Sequence, residues 1–210
     1  MRAVEQKKCD IVDHLIQRGI DLNHKNNKGE TALMIAVRQD DNQSIERLLK
    51  AKCDPEIKDN EGETALLNAI RENRYHNIIE PLFKYGCDTN VRDNAGETAL
   101  MIACQRQWSE VVDLLLEHGC DVNLQDNDGR TALMIACDST DQEIIEMLLA
   151  EGADRYIADN NGKIVFDHVS NDPKIQKLFV GLFFPFTFPH PFFFFFSFLC
   201  FKVNSINRNP

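Results

Sequence analysis

The chain has 210 residues, 27% of them charged and 43% hydrophobic, the proportions of an ordinary folded chain large enough for one domain. Its 33 acidic against 23 basic residues leave a net charge of −10, so no nucleic acid is expected as partner, because phosphate-backbone binders carry a basic face. Residues 1–15 carry charges throughout and no apolar segment, so no secretory signal peptide is expected in them.

The first residues, Met1-Arg2-Ala3-Val4, align with Met34-Ile35-Ala36-Val37, and Ile11 falls where Val111 and Ile144 fall further on. The chain therefore starts inside a helix, without the turn, the capping Thr or the polar outer face that the end unit of a stacked array normally needs. Two readings follow, a shortened first unit or a coding start that lies further upstream, and the missing cap favours the second.

From residue 26 the sequence repeats. One pattern runs over Asn26 to Ala36, Asp59 to Ala69, Asp93 to Ala103 and Asp126 to Ala136, with a frayed copy from Asp159. Its glycines, Gly29, Gly62, Gly96, Gly129 and Gly162, are spaced by 33, 34, 33 and 33 residues, and a period of that size predicts a repeat architecture. Asp followed three positions on by Gly is a type I turn signature. Thr31, Thr64, Thr98 and Thr131 stand where each can cap a helix by accepting a first-turn N–H, at about 1 kcal/mol apiece. The apolar run that follows suits a short inner helix. A second apolar block, Val111 to Asn123 in one unit, has its apolar residues on one helical face and ends at Gly119; Gly19, Gly86 and Gly152 take the same place elsewhere. Each unit is turn, helix, helix, loop, and the fold class predicted is an all-α solenoid of stacked helix-turn-helix units with short hairpin-like loops.

The expected units are a partial first repeat over 1–25, full repeats over 26–58, 59–92, 93–125 and 126–158, a C-terminal cap over 159–180, and a Phe-rich tail over 181–210. The longer spacing between Gly62 and Gly96 puts one extra residue in Arg71 to Asn77, where loops accept insertions at little cost. Pro81 falls near the first turn of the next helix, which tolerates it. In the sixth unit Ile164 replaces the capping Thr, and Asn171-Asp172-Pro173 shortens the path to the last helix, as suits a cap.

Cys53, Cys87 and Cys120 share one repeat position, and Cys104 and Cys137 share another. Stacked layers stand about 8–10 Å apart, too far for a disulfide, whose Cα atoms lie within about 7 Å. No C-x-x-C or zinc-ligand spacing occurs, so these cysteines read as small buried apolar residues in a reducing compartment. No phosphate-cradling loop, G-x-S-x-G or H-E-x-x-H is present. The carboxylates recur with the repeat, so they belong to turns and caps; no catalytic residue, cofactor site or metal site is expected. His14 and His118 sit near the ends of second helices, where satisfying the helix terminus is the default role.

Residues 178–201 are 24 uncharged positions dominated by Phe. About 20 apolar residues can span a bilayer, which makes a membrane anchor between Lys177 and Lys202 one reading. Pro185, Pro189 and Pro191 oppose it, since the ten residues left free of Pro reach only about 15 Å as a helix. Phe, Pro, Ser and Leu share pyrimidine-only codons, and translation of an unspliced intron tract ranks ahead of the anchor or a disordered tail.

Over roughly residues 1–180 the chain resembles the ankyrin-repeat family, on the strength of five units carrying the D-x-x-G-x-T-x-L-x-x-A frame and a G-C-D-x-N-like end. It departs from the family at the start of the first helix, which reads Thr-Ala-Leu-Met, or Thr64-Ala65-Leu66-Leu67, where the family has Thr-Pro-Leu-His; weaker anchoring of the hairpins is expected. The resemblance implies a non-catalytic scaffold or adaptor, monomeric, in the cytoplasm or nucleus, binding a protein partner through its concave side. The positions it implies for partner contact include Lys25, Lys28, Glu30, Arg38, Gln39, Glu61, Glu63, Arg71 and Glu72. They continue through Arg92, Glu97, Gln105 and Arg106 to Arg130, Asp138 and Ser139. Trp108, where neighbouring units have Asp41 and Asp141, is the favoured anchor because Trp dominates many interfaces; packing over the gap between repeats is its other reading. The resemblance also implies asparaginyl hydroxylation at Asn23, Asn90 and Asn123. Alternatives are the regulatory ankyrin segment of a larger enzyme or channel, and a tail-anchored membrane adaptor.

Overall fold

The computed structural model describes residues 1–72, 78–169 and 173–180. Two units divide the chain, residues 1–176 and residues 177–210. The Phe-rich tail lies outside the described residues, as do most of the extra-residue loop and the Asn171-Asp172 link. Among the described residues no helix is long and apolar enough to cross a membrane.

The helices come in pairs. The first of each pair are α1 (Arg2–Glu5), α3 (Ala32–Arg38), α5 (Ala65–Arg71), α7 (Ala99–Gln105), α9 (Ala132–Ser139) and α11 (Val165–His168). The second are α2 (Cys9–Gln17), α4 (Asn42–Lys50), α6 (Ile79–Lys84), α8 (Ser109–Glu117), α10 (Gln142–Ala150) and α12 (Pro173–Val180). No sheet joins them among the described residues, and the hairpins hold only the isolated bridges Arg92 to Thr98 and Gln125 to Thr131.

Within residues 1–176 the first helices form an inner layer, α1 on α3, α3 on α5, α5 on α7, α7 on α9 and α9 on α11. Flanked on both sides and backed by an outer helix, each must be apolar nearly all round. Ala99 to Cys104 of α7 are accordingly all buried. The second helices are amphipathic: α4 buries Ser44, Ile45, Leu48 and Leu49 and turns its charges outward.

The predicted local signals form. Met34, Leu67, Met101 and Met134 donate their N–H groups to the Oγ1 atoms of Thr31, Thr64, Thr98 and Thr131 at 3.3–3.4 Å. In each turn the Asp or Asn carboxyl or amide oxygen accepts two N–H bonds, as Asp59 Oδ1 does from Glu61 and Glu63, both at 2.9 Å. In the sixth unit, where Thr is missing, Asp167 Oδ2 instead accepts the Ile164 N–H at 3.0 Å.

The turn glycine answers a second demand besides positive φ. A Cβ on Gly129 (φ +79°) would sit 2.7 Å from both the backbone N and Oδ1 of Asn160 in the next turn. On Gly162 (φ +77°) it would meet nothing within 4 Å. Gly162→Ala is therefore expected to cost about 1–2 kcal/mol, the left-handed backbone penalty alone. Gly129→Ala adds about 1–3 kcal/mol of overpacking to the same penalty. Chemical denaturation of both variants checks the ordering.

Candidate partner-binding surface

The hairpin tips are tied together by three columns of hydrogen bonds. In the first, the N–H groups of Asn60, Asn94, Asn127 and Asn160 donate to the carbonyls of Lys28, Glu61, Ala95 and Asp128 in the preceding tip, at 2.9–3.3 Å. The side-chain amides of the same four donate to the carbonyls of Asn27, Asn60, Asn94 and Asn127, at 2.8–3.2 Å. The second column runs the other way along the stack. Lys25 Nζ donates to the Lys58 carbonyl at 2.6 Å, and Lys58 Nζ to the Arg92 carbonyl at 2.7 Å. The Arg92 guanidinium meets the Gln125 carbonyl, and Gln125 Nε2 reaches the Ala158 carbonyl at 3.0 Å. Lys58 and Gln125 did not figure among the sequence expectations, although a long polar side chain just before each turn recurs at the repeat spacing.

The third column holds the asparagines singled out for hydroxylation. Asn23, Asn90 and Asn123 accept, on their side-chain oxygens, the N–H groups of Asp54, Asp121 and Asp154 at 2.9, 2.8 and 2.7 Å. Glu56 takes their place in its own unit and accepts from Asp88 at 2.9 Å.

Next to the tips, positions eight residues apart pair across three of the first helices, α3, α5 and α9. Glu30 meets Arg38, Glu63 meets Arg71, and the signs invert in Arg130, which meets Asp138 at 2.6 Å. The sequence put Glu30 and Glu63 on an outward row, but each is only 6% exposed. A carboxylate just before the capping Thr folds back over its own helix to reach the Arg at the far end. Arg71 is the most engaged of these cations, because it also reaches Asp93 at 2.7 Å and Glu97 at 3.2 Å in the next unit. Burial raises Glu63 above the ordinary carboxylate range, against the pull of Arg71. Arg71 is itself desolvated, yet Glu63, Glu97 and Asp93 raise it above the ordinary guanidinium value. Arg92 is likewise engaged within the chain, while Lys25, Lys28, Glu61, Glu72, Gln105, Arg106 and Asp138 are exposed and Arg38, Gln39, Glu97, Arg130 and Ser139 half-buried.

Trp108 is the N-cap residue of α8. Asp41 and Asp141 hold that place on α4 and α10 and accept the N–H groups of Ser44 and Ile144, both at 3.2 Å. α8 has no side-chain cap. The half-buried Trp108 ring instead lies 5.2 Å from the Arg106 guanidinium carbon, a cation–π arrangement.

Among the described residues no three ligand-type side chains gather as a metal site would require. Burial pushes the Cys53 and Cys120 thiols up to about 11 and those of Cys87 and Cys137 up to about 12, so the protein keeps them as inert thiols.

Residues 1–93 and 73–159 match the family model described as ankyrin repeats (3 copies). The chain belongs to the ankyrin-repeat family. Ankyrin repeats are protein-interaction modules, typically without catalytic activity. Among solved structures, the ankyrin repeat domain of Bcl-3, described as a unique member of the IκB protein family, is similar at a TM-score of 0.78 and 24% identity, over 84% of this chain and 79% of that one. An ankyrin repeat domain from Acinetobacter baumannii AYE is similar at a TM-score of 0.78 and 28% identity, over 86% of this chain and 95% of that one. Curated protein sequences give no match.

Arg71→Met isolates the charge network. Removing the cation leaves Glu63, Asp93 and Glu97 without their shared partner, and the variant is expected to lose about 1–3 kcal/mol at pH 7. Glu63, already raised by burial, rises further without the Arg71 charge, so the native state binds a proton there more readily and the deficit shrinks as pH falls through that raised value. Urea titrations of variant and parent at pH 7 and pH 4.5 read the difference.

Proposed function

We propose that this chain is a non-catalytic scaffold or adaptor that grips a partner protein across its concave side, the side of the hairpin tips and the ends of the first helices. The supporting observation is the division of labour among the polar residues of that side. One set, Glu30, Glu63, Arg71 and Arg92, is tied within the array. The other, Lys28, Glu61, Gln105 and Arg106, is presented outward in successive units, while Asp138 is exposed but bonded to Arg130 and His168. Arg38, Glu97 and Arg130 flank that row. A rigid row whose geometry is fixed by hydrogen bonds meets a partner with little ordering cost.

Trp108 anchors the contact. An Asp at its position would cap α8 as Asp41 and Asp141 cap their helices, at a gain of about 1 kcal/mol. The chain forgoes that gain and places a large aromatic beside Arg106, the pairing of residue types enriched at interface hot spots.

The full chain carrying a photo-crosslinking residue at Gln105 captures the partner in cells, and Trp108→Asp then tests the anchor. Thermal stability is expected to hold, with the new cap offsetting the lost ring contacts, while crosslinked product falls about tenfold or more, the scale of an interface hot spot. A large drop in melting temperature with capture unchanged would assign Trp108 to packing instead.

A further inference from the structure

The outer helices carry a feature that the concave side does not explain. α2 packs on α4, α4 on α6, and α8 on α10, while across the step from α6 to α8 the rings of Phe83 and His118 stack, with centroids 4.2 Å apart and planes at 24°. Beside that stack lies an open cavity of about 420 Å³, lined by Glu46 of α4, by Glu80, Phe83, Lys84 and Tyr85 in and just after α6, and by His118. Its aromatic wall is peculiar to this unit. Phe83 stands where the neighbouring units have Leu49, Leu116 and Leu149, and Tyr85 where they have Ala51, His118 and Glu151.

Charge says what the cavity would take. Its lining carries the carboxylates of Glu46 and Glu80, of which Glu46 already meets Lys50, and the ammonium of Lys84. Further along the outer layer, Glu110, Asp113 and Glu117 on α8 and Glu143 and Glu146 on α10 are all exposed, and neither helix carries a Lys or Arg. On the near side the charges largely balance, Arg47 pairing with Asp13 at 3.0 Å and Lys50 with Glu46 at 3.4 Å. A basic segment lying along α8 and α10 therefore meets five exposed carboxylates on helices that carry no cation of their own, and its end reaches the aromatic cavity. A planar guanidinium suits that cavity better than an ammonium. It stacks on aromatic faces, is more weakly hydrated, and presents parallel N–H donors to a carboxylate. A volume of this size holds one side chain and water, not a folded element.

We propose that the outer-helix side is a second docking surface, which takes a basic segment of a partner protein by inserting an arginine side chain between Tyr85, the Phe83–His118 stack and the carboxylate of Glu80. This surface is independent of the concave-side reading and stands or falls separately.

The probe is a fluorescein-labelled nonapeptide of alternating Arg and Gly, with Lys/Gly and Glu/Gly peptides of equal length, titrated into the full chain and read by fluorescence anisotropy at 150 mM salt. The arginine peptide is expected to bind about fivefold more tightly than the lysine peptide, the scale of one favourable cation–π contact, and the Glu peptide not at all. Tyr85→Ala and the fully surface-compatible Glu80→Gln each weaken the arginine peptide about fivefold or more, Tyr85→Phe keeps it, and Glu61→Lys on the concave side leaves it unchanged. Equal affinity for the Arg and Lys peptides, or binding insensitive to both Tyr85→Ala and Glu80→Gln, would reduce the surface to diffuse charge attraction and overturn the proposal. So would the absence of binding, or a loss on Glu61→Lys in place of Glu80→Gln.

Discussion

Four successive hairpin tips present backbone carbonyls to the next layer, and that layer supplies the donors. Asn60, Asn94, Asn127 and Asn160 each give two, one from the backbone and one from the side-chain amide. A net gain of about 0.5–1.5 kcal/mol per bond is modest, but the bonds fix the distance between tips, and with it the register of the inner helices behind them. The glycine of the preceding turn is the other half of the constraint, since any side chain there would fill the space the asparagine needs, as the pair Gly129 and Asn160 makes plain. Stability in such an array is a sum of unit terms and nearest-neighbour terms.

The same constraint sorts the charges. Residues that reach a neighbouring layer, such as Lys25, Lys58 and Arg92, act as struts whatever their charge. Residues that fold back over their own first helix, such as Glu30 and Glu63, neutralise the helix end and disappear from the surface. The outward row that remains is held by rigid neighbours, and the partner meets a surface whose spacing is set by the repeat. The outer layer follows a different rule: its helices need only one buried face, so the opposite face is free to vary, and there the acidic run on α8 and α10 and the aromatic step at Phe83 and His118 have arisen.

Period and turn chemistry made the architecture readable before any coordinates: the Thr caps, the Asp turns, the positive-φ glycines and the buried cysteine columns all sit where spacing puts them. The individual roles of charged residues were less readable. Glu63 and Glu61 look alike in sequence, two residues apart in one turn, yet one is 6% exposed and paired with Arg71 while the other is exposed. The difference depends on which long side chain lies eight residues on and one layer over, and that is a matter of three-dimensional reach. The strut column of Lys25, Lys58, Arg92 and Gln125 was hidden for a related reason: its members change identity while keeping their position, so a search by residue type passes over them. Trp108 was visible as an oddity, and the capping role of Asp41 and Asp141 supplies the reason it is one.

Hydrogen exchange at the tips tests the central claim most directly. The tip asparagines are exposed to solvent, so as ordinary loop residues their amide protons would exchange within seconds. If neighbouring layers fix each other through these groups, the backbone amides of Asn60, Asn94 and Asn127 open only when adjacent layers separate, and their protection approaches that of the inner-helix amides of α5, α7 and α9. Exchange of those three amides at the rate of a free loop, with the inner helices still protected, would show that the layers stack without the tip bonds and would contradict the account.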